Sequence, residues 1–78
     1  MNNYCPTPSE ATLKKIRETY PAGTRVELIR MNDPYIKLRP GDRGTVLFVD
    51  DIGSVHVQWD SGSTLAALYC IDVVSKLT

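Results

Sequence analysis

The sequence predicts a mainly β protein in which one N-terminal α-helix is followed by a five-stranded barrel. Apolar residues at helical spacing occur before Pro21, whereas apolar and polar residues alternate after Gly23. Short turn segments rich in Gly, Asp and Ser separate the alternating stretches. Five short strands joined by tight turns within about 55 residues favour a small barrel over a sandwich.

The helix is predicted over residues 7–20, where an amphipathic stretch is flanked by start and stop signals. Thr7 is the expected N-cap, and Glu10 lies three residues later, as a capping box requires. Pro21 ends the helix because a proline disfavours helical backbone in the residue before it. A helix of this length is marginal in water, so we expect its apolar face to pack against the barrel. That face consists of Leu13, Ile16 and Tyr20.

The alternating pattern after Gly23 defines the predicted strands and their inward faces. The strands are expected at Thr24–Met31, Arg43–Val49, Ser54–Trp59, Ser63–Leu68 and Val73–Leu77. The expected core consists of Val26, Leu28, Val46, Phe48, Val55, Val57 and Trp59. A bulge in the second strand would exchange the roles of Phe48 and Leu47. Trp59 alternates in step with Val55 and Val57, which favours a place in the core over the alternative, an exposed aromatic cage.

The chain has the length of one domain, expected to span residues 1–78. Within it we expect a flexible tail over 1–6, the helix over 7–20 and the barrel over 24–78. A domain of this size has a thin core with little room for a deep active site. The N-terminus has no signal-peptide pattern, and no apolar run reaches the roughly 18 residues of a membrane span. We therefore expect a cytoplasmic protein without membrane attachment.

Charge balance bears on the class of partner. Nine Lys and Arg residues balance nine Asp and Glu residues, so the net charge is zero. Proteins that depend on phosphate contacts usually carry an excess of positive charge, because neutralising phosphates supplies much of their affinity. The composition therefore favours a protein partner over non-specific nucleic-acid binding, although a local basic patch stays open.

The sequence contains His, Cys and Asp residues, but none of them has the spacing of a known catalytic or metal-binding motif. His56 is the one histidine, and no spacing in the sequence gives it a partner. The Asp residues of the hairpins are typical turn formers and are too few for a calcium loop. Cys5 and Cys70 form no zinc motif and are expected to be reduced. We therefore expect no enzymatic activity, no catalytic residue, no metal site and no cofactor.

The long connection between the first two strands holds the best binding candidates. Tyr and Arg are enriched at the energetic centres of protein interfaces, and this connection combines them with further cations. The predicted binding residues are Arg30, Tyr35, Lys37, Arg39 and Arg43. A solvated loop with scattered charges stays open as the alternative interpretation.

Three segments together resemble SH3-like barrels: Pro40–Val46 (PGDRGTV), Asp50–Gly53 (DDIG) and Val57–Ser63 (VQWDSGS). Their pattern is similar to that of the domain shared by Mind-bomb and HERC-type ubiquitin ligases. More closely, the chain resembles a small family of unknown function from phages, prophages and conjugative elements of Gram-positive bacteria. That match is best from Tyr20 to Leu65. The resemblance implies an SH3-like barrel whose long loop lines the ligand groove, and it carries no assigned activity.

The expected function is a non-catalytic protein-interaction module of phage or mobile-element origin, with inhibition of a host defence protein as one version. Its partner would be a host or phage protein in the bacterial cytoplasm. The alternative is a nucleic-acid-binding accessory protein that uses a local basic stripe. The stripe comprises Arg25, Arg30, Lys37, Arg39 and Arg43. The two hypotheses differ in salt dependence, since phosphate-led binding falls steeply with salt.

Overall fold

The first strand of this protein lies in the sheet between the second strand and the last. The computed structural model describes residues 7–31 and 37–77, so the predicted tail over 1–6 and residues 32–36 of the long loop lie outside the described residues. The elements are α1 (Glu10–Thr19), β1 (Arg25–Arg30), β2 (Arg43–Val49), β3 (Val55–Trp59), β4 (Thr64–Ala67) and β5 (Val73–Lys76). The five strands form one antiparallel sheet in the order β4-β3-β2-β1-β5, so the fold is mainly β as predicted.

The start of α1 differs from the prediction. The N-cap is Ser9, whose extended backbone precedes the helix and whose Oγ accepts a hydrogen bond from the Thr12 N–H at 3.2 Å. The expected cap at Thr7 is therefore wrong, and Glu10 is the first helical residue. Pro8 lies against the turn at Gly53, and Ser9 follows it as the cap.

The core lies on the inner face of the sheet, as the alternation predicts. Buried apolar residues are Val26, Leu28, Val46, Val49, Val55, Val57, Trp59 and Ala67. The Trp59 side chain is 1% exposed, and its indole N–H donates a hydrogen bond to the Leu65 carbonyl oxygen at 3.1 Å. Trp59 is thus a core residue, and the aromatic-cage alternative is wrong because the ring is covered.

A β-bulge in β2 overturns one predicted core residue. Pairing with β3 runs through Val46 opposite Val57 and then jumps to Phe48 opposite His56, which leaves Leu47 as the extra residue. Both Leu47 and Phe48 face solvent, with 41% and 52% of their surface exposed. The core position predicted for Phe48 is therefore wrong, and Val49 packs inward instead.

Packing of α1 against the sheet uses the predicted face of the helix. Leu13, Ile16 and Tyr20 are half-buried and pack against the core. Gly53 allows this close approach, since a Cβ there would lie 2.9 Å from Pro8 Cγ and 3.3 Å from Ile16 Cδ1. Its φ of +84° also belongs to the region that favours glycine. Glycine at this position of the β2–β3 turn therefore allows the helix to pack closely against the turn.

Residues 7–31 and 37–77 contain no helical segment with the length and hydrophobicity of a membrane span. Cys70 is disulfide-bonded, so the expectation of a reduced thiol is wrong for this residue. Cys5 lies outside the described residues.

Candidate binding surfaces

The end of the long loop is fixed beside β1 by backbone hydrogen bonds. The Leu28 N–H donates to the Asp42 carbonyl oxygen at 2.7 Å, and the Gly41 N–H donates to the Leu28 carbonyl oxygen at 2.8 Å. The Arg39 N–H donates to Asp42 Oδ2 at 3.1 Å, which closes a tight turn. These bonds place Arg39 near the end of β1, where Arg30 lies.

A second β-bulge leaves two consecutive side chains of β1, Ile29 and Arg30, both exposed. Pairing of β1 with β5 shifts between Leu28 and Arg30, so Ile29 is the extra residue and is 46% exposed. We define the loop surface as Ile29, Arg30, Lys37 and Arg39, all exposed. Within the described ranges its three cations take part in no ion pair. Tyr35, predicted as their partner, lies outside the described residues.

Arg43, the fifth predicted binding residue, belongs to a different cluster. It begins β2 opposite Glu27, and its Nε lies 3.5 Å from Glu27 Oε1. Arg25 of the predicted basic stripe is also paired, since its two terminal nitrogens donate to the two carboxylate oxygens of Asp60 at 2.8 and 2.6 Å. Among the described residues, two cations of the stripe are therefore paired, and the other three take part in no ion pair.

The bidentate pair has mutual electrostatic consequences. The hydrogen bond that Arg25 donates to Asp60 raises the pKa of Arg25 and lowers the pKa of Asp60. Thr45 Oγ1 accepts a further hydrogen bond from Arg25 Nη1 at 2.9 Å. The guanidinium is thus held on the sheet by two partners, and a phosphate would have to displace a carboxylate to reach it.

The β2 bulge forms a second exposed surface built on aromatic stacking. The rings of Phe48 and His56 stack with centroids 4.2 Å apart and planes 12° apart. His56 Nε2 lies 2.9 Å from Asp50 Oδ2, and an ionised carboxylate only accepts, so Nε2 carries the proton. The expectation that His56 has no partner is therefore wrong.

Asp50 connects this surface to the β2–β3 turn. Its Oδ1 accepts hydrogen bonds from the backbone N–H groups of Ile52 and Ser54 at 3.1 and 2.9 Å. Partial burial raises the pKa of Asp50, but the hydrogen bonds from His56 and the two amides outweigh burial and lower it below the ordinary value. The turn, the carboxylate, the imidazole and the Phe48 ring thus form one connected series of contacts.

Beside Phe48 lies a groove of about 260 Å³ between the sheet and the end of α1. Its lining consists of Arg17, Tyr20, Pro21, Ala22, Leu47, Phe48 and Val49. At its edge Arg17 Nη2 donates to Asp51 Oδ1 at 2.8 Å. We define the bulge surface as Leu47, Phe48 and His56 together with Arg17 and Asp51. Its ionic side chains are all partnered, in contrast to those of the loop surface.

A family model described as a domain of unknown function, DUF4314, matches residues 9–77. The chain belongs to the DUF4314 family. No curated protein and no solved structure matches the chain. The DUF4314 match begins at Ser9, the N-cap of α1, and ends at Leu77, whose N–H donates to the Arg25 carbonyl oxygen. Both surfaces lie within it.

In residues 7–31 and 37–77, no three His, Cys, Asp or Glu side chains converge as metal ligands would. Sequence reasoning missed the link between His56 and Asp50, which lie six residues apart across the β2–β3 turn. Asp50 followed by Gly53 signals a turn in which the Asp side chain caps backbone amides. That signal points to Asp50, but the pairing with His56 depends on the bulge.

Proposed function

We propose that this DUF4314 domain is a non-catalytic protein-interaction module that binds an acidic protein surface through the loop surface. One observation carries the proposal: Arg30, Lys37 and Arg39 are exposed without an ion-pair partner in the described ranges, whereas Arg25 and Arg43 are paired. Unpaired cations beside an apolar side chain suit a partner that offers carboxylates around an apolar contact.

The same division of the stripe weighs against the nucleic-acid alternative. A groove for phosphates needs several free cations along one track, and each phosphate contact contributes to a steep salt dependence. Two of the five stripe residues are already neutralised by Asp60 and Glu27. Zero net charge also gives no long-range attraction to a polyanion.

The domain is proposed to be an SH3-like barrel of phage or mobile-element origin that acts in the cytoplasm of a bacterial host. Pairing of β1 with β5 supports the barrel, since it returns the last strand to the first. The loop between β1 and β2 is the one that lines the ligand groove in the resembling barrels. In one form of the proposal, the partner is a host defence protein that the domain inhibits.

The test is a binding comparison with a charge-matched control. The double variant Arg30→Glu/Arg39→Glu reverses two cations of the loop surface, and Lys14→Glu/Lys15→Glu reverses two exposed cations of α1. Wild type and control should retain the same partner from a bacterial lysate, identified by mass spectrometry, and the loop variant should lose it. Equal loss in both variants would contradict the proposed site.

A gel-shift assay with duplex DNA at low and high salt distinguishes the alternative. We expect no shift of the DNA at either salt concentration. A shift at low salt that disappears at high salt, and that the loop variant abolishes, would replace the protein-interaction proposal with nucleic-acid binding.

A further inference from the structure

We propose that the bulge surface is a self-association site, where a second copy of this chain packs in a two-fold arrangement. Phe48 of each copy would enter the groove beside Phe48 of the other. This inference does not depend on the loop surface or on its partner. It rests on the exposed aromatic residue, the adjacent groove, the signs of charge at the edge and the net charge.

Phe48 is exposed at a fixed position, which is what an interface anchor requires. Two adjacent large apolar residues in solvent are unfavourable for an isolated domain, and such patches typically mark interaction sites. The Phe48 ring stacks on His56, which is itself hydrogen-bonded to Asp50, so the ring is already ordered in the unbound protein. Less side-chain freedom is then lost on binding, which favours affinity.

The surface carries both halves of a self-complementary contact. A two-fold interface uses the same patch on both copies, so a protruding side chain needs a recess on the same patch. Phe48 protrudes, and the groove of about 260 Å³ begins beside it between Leu47 and the end of α1. Pro21 and Tyr20 give this groove an apolar wall suited to an aromatic ring.

Charge at the edge fits a second copy better than a strongly charged partner. Arg17 and Asp51 have opposite signs, and the Asp51 side chain is 96% exposed. Across a two-fold axis Arg17 of one copy can face Asp51 of the other, because the guanidinium retains further N–H donors. Zero net charge means that two copies do not repel at long range.

The size of the interface sets the expected strength of self-association. A standard interface buries about 800 Å² on each partner, and a smaller one gives a weaker, concentration-dependent dimer. We therefore expect a monomer–dimer equilibrium rather than an obligate dimer.

Sedimentation equilibrium over about 1 µM to 1 mM, the range of weak to moderate affinity, tests the inference. Wild type should show a monomer–dimer equilibrium, and Phe48→Ser should raise the dimer Kd at least about tenfold. Ile29→Ser is the matched control, since it removes the exposed residue of the other bulge. Circular dichroism spectra should confirm that both variants fold.

Mixing charge variants distinguishes an Arg17–Asp51 contact between two copies from the same contact within one copy. Arg17→Asp and Asp51→Arg should each weaken self-association, and an equimolar mixture of the two should associate more strongly than either alone. A mixture no stronger than its components would overturn the two-fold arrangement. So would wild type that remains monomeric throughout, or a dimer that Phe48→Ser leaves unchanged. A monomer that captures another protein through Phe48 would assign the surface to a different partner.

Discussion

The two β-bulges of this domain perform the same backbone operation in different electrostatic settings. Each inserts one residue, so that two consecutive side chains face outward: Ile29 and Arg30 in β1, and Leu47 and Phe48 in β2. Near the β1 bulge, the cations of the loop surface form no ion pair among the described residues. Near the β2 bulge, Arg17 and His56 each contact a carboxylate. An exposed apolar side chain thus lies at each bulge, and the neighbouring charges determine which kind of partner fits it.

The two surfaces also differ in how they are fixed. The bulge surface is connected to the β2–β3 turn through Asp50 and to α1 through Arg17. The described part of the loop surface is held by backbone hydrogen bonds of Leu28 and by the turn that Asp42 closes. Substitutions in α1 should therefore affect the bulge surface and spare the loop surface.

Loss of the shared core should remove both surfaces together and have the largest effect. Trp59→Ala empties the largest buried side chain and removes the indole hydrogen bond to Leu65. We expect a loss of about 3–5 kcal/mol in the free energy of unfolding. Urea denaturation followed by circular dichroism measures it. A loss below about 1 kcal/mol would show that the inner face of the sheet is not the core.

Weakening the attachment of α1 should separate the two surfaces. Ile16→Ala removes a half-buried side chain that packs against the core and near Gly53. Because Ile16 is half-buried, we expect a loss of about 1–2 kcal/mol, less than for a fully buried site. Self-association should weaken while binding at the loop surface is retained in the folded fraction. An unchanged urea midpoint would contradict the packing of α1 on the sheet.

Acid should weaken the turn that supports Phe48. The pKa of Asp50 is lower in the folded protein than its ordinary value of 3.8. The ionised carboxylate therefore stabilises the fold fully at pH values above 3.8. This stabilisation is lost as the pH falls from 3.8 to below the pKa that Asp50 has in the folded protein. Asp50→Asn should therefore be less stable than wild type at pH 7, by about 1 kcal/mol. Urea denaturation from pH 7 to pH 2 should show the two proteins converging in acid, and a constant difference would contradict this role.

The smallest effect is expected at the paired cations of the sheet. Arg25→Gln breaks the bidentate contact with Asp60, but both side chains are exposed, and pairs in solvent contribute little to stability. The urea midpoint should stay within error of wild type, and so should binding at the loop surface. Weaker binding by Arg25→Gln than by Arg39→Gln would reverse the assignment of free and paired cations.

Most of the strand layout follows from the sequence, because alternation with a period of two is a local property. It places Val26, Leu28 and Trp59 inward and gives the strand bounds to within a residue or two. The outward position of Phe48 does not follow, since one inserted residue reverses the alternation and leaves no mark in the pattern. Similarly, Thr7 and Ser9 are both good cap residues, and the sequence alone does not decide between them.

The candidate sites were less predictable because pairing of side chains depends on register. Arg43 and Glu27 meet because they are cross-strand neighbours, which the sequence alone does not specify. His56 meets Asp50 across a turn whose geometry depends on the bulge. The sequence therefore identifies which residues are charged and exposed, whereas the sheet determines which of them are neutralised.

The separation of the two surfaces is tested most directly by amide chemical shifts of ¹⁵N-labelled protein. Spectra would be recorded on dilution, and then on titration of a dilute sample with a synthetic glutamate-rich peptide as the acidic probe. We expect dilution to shift residues around Leu47, Phe48 and His56, and the peptide to shift residues around Arg30 and Arg39. If dilution and peptide shift the same residues, or if neither shifts any, the account of two electrostatically distinct surfaces is wrong.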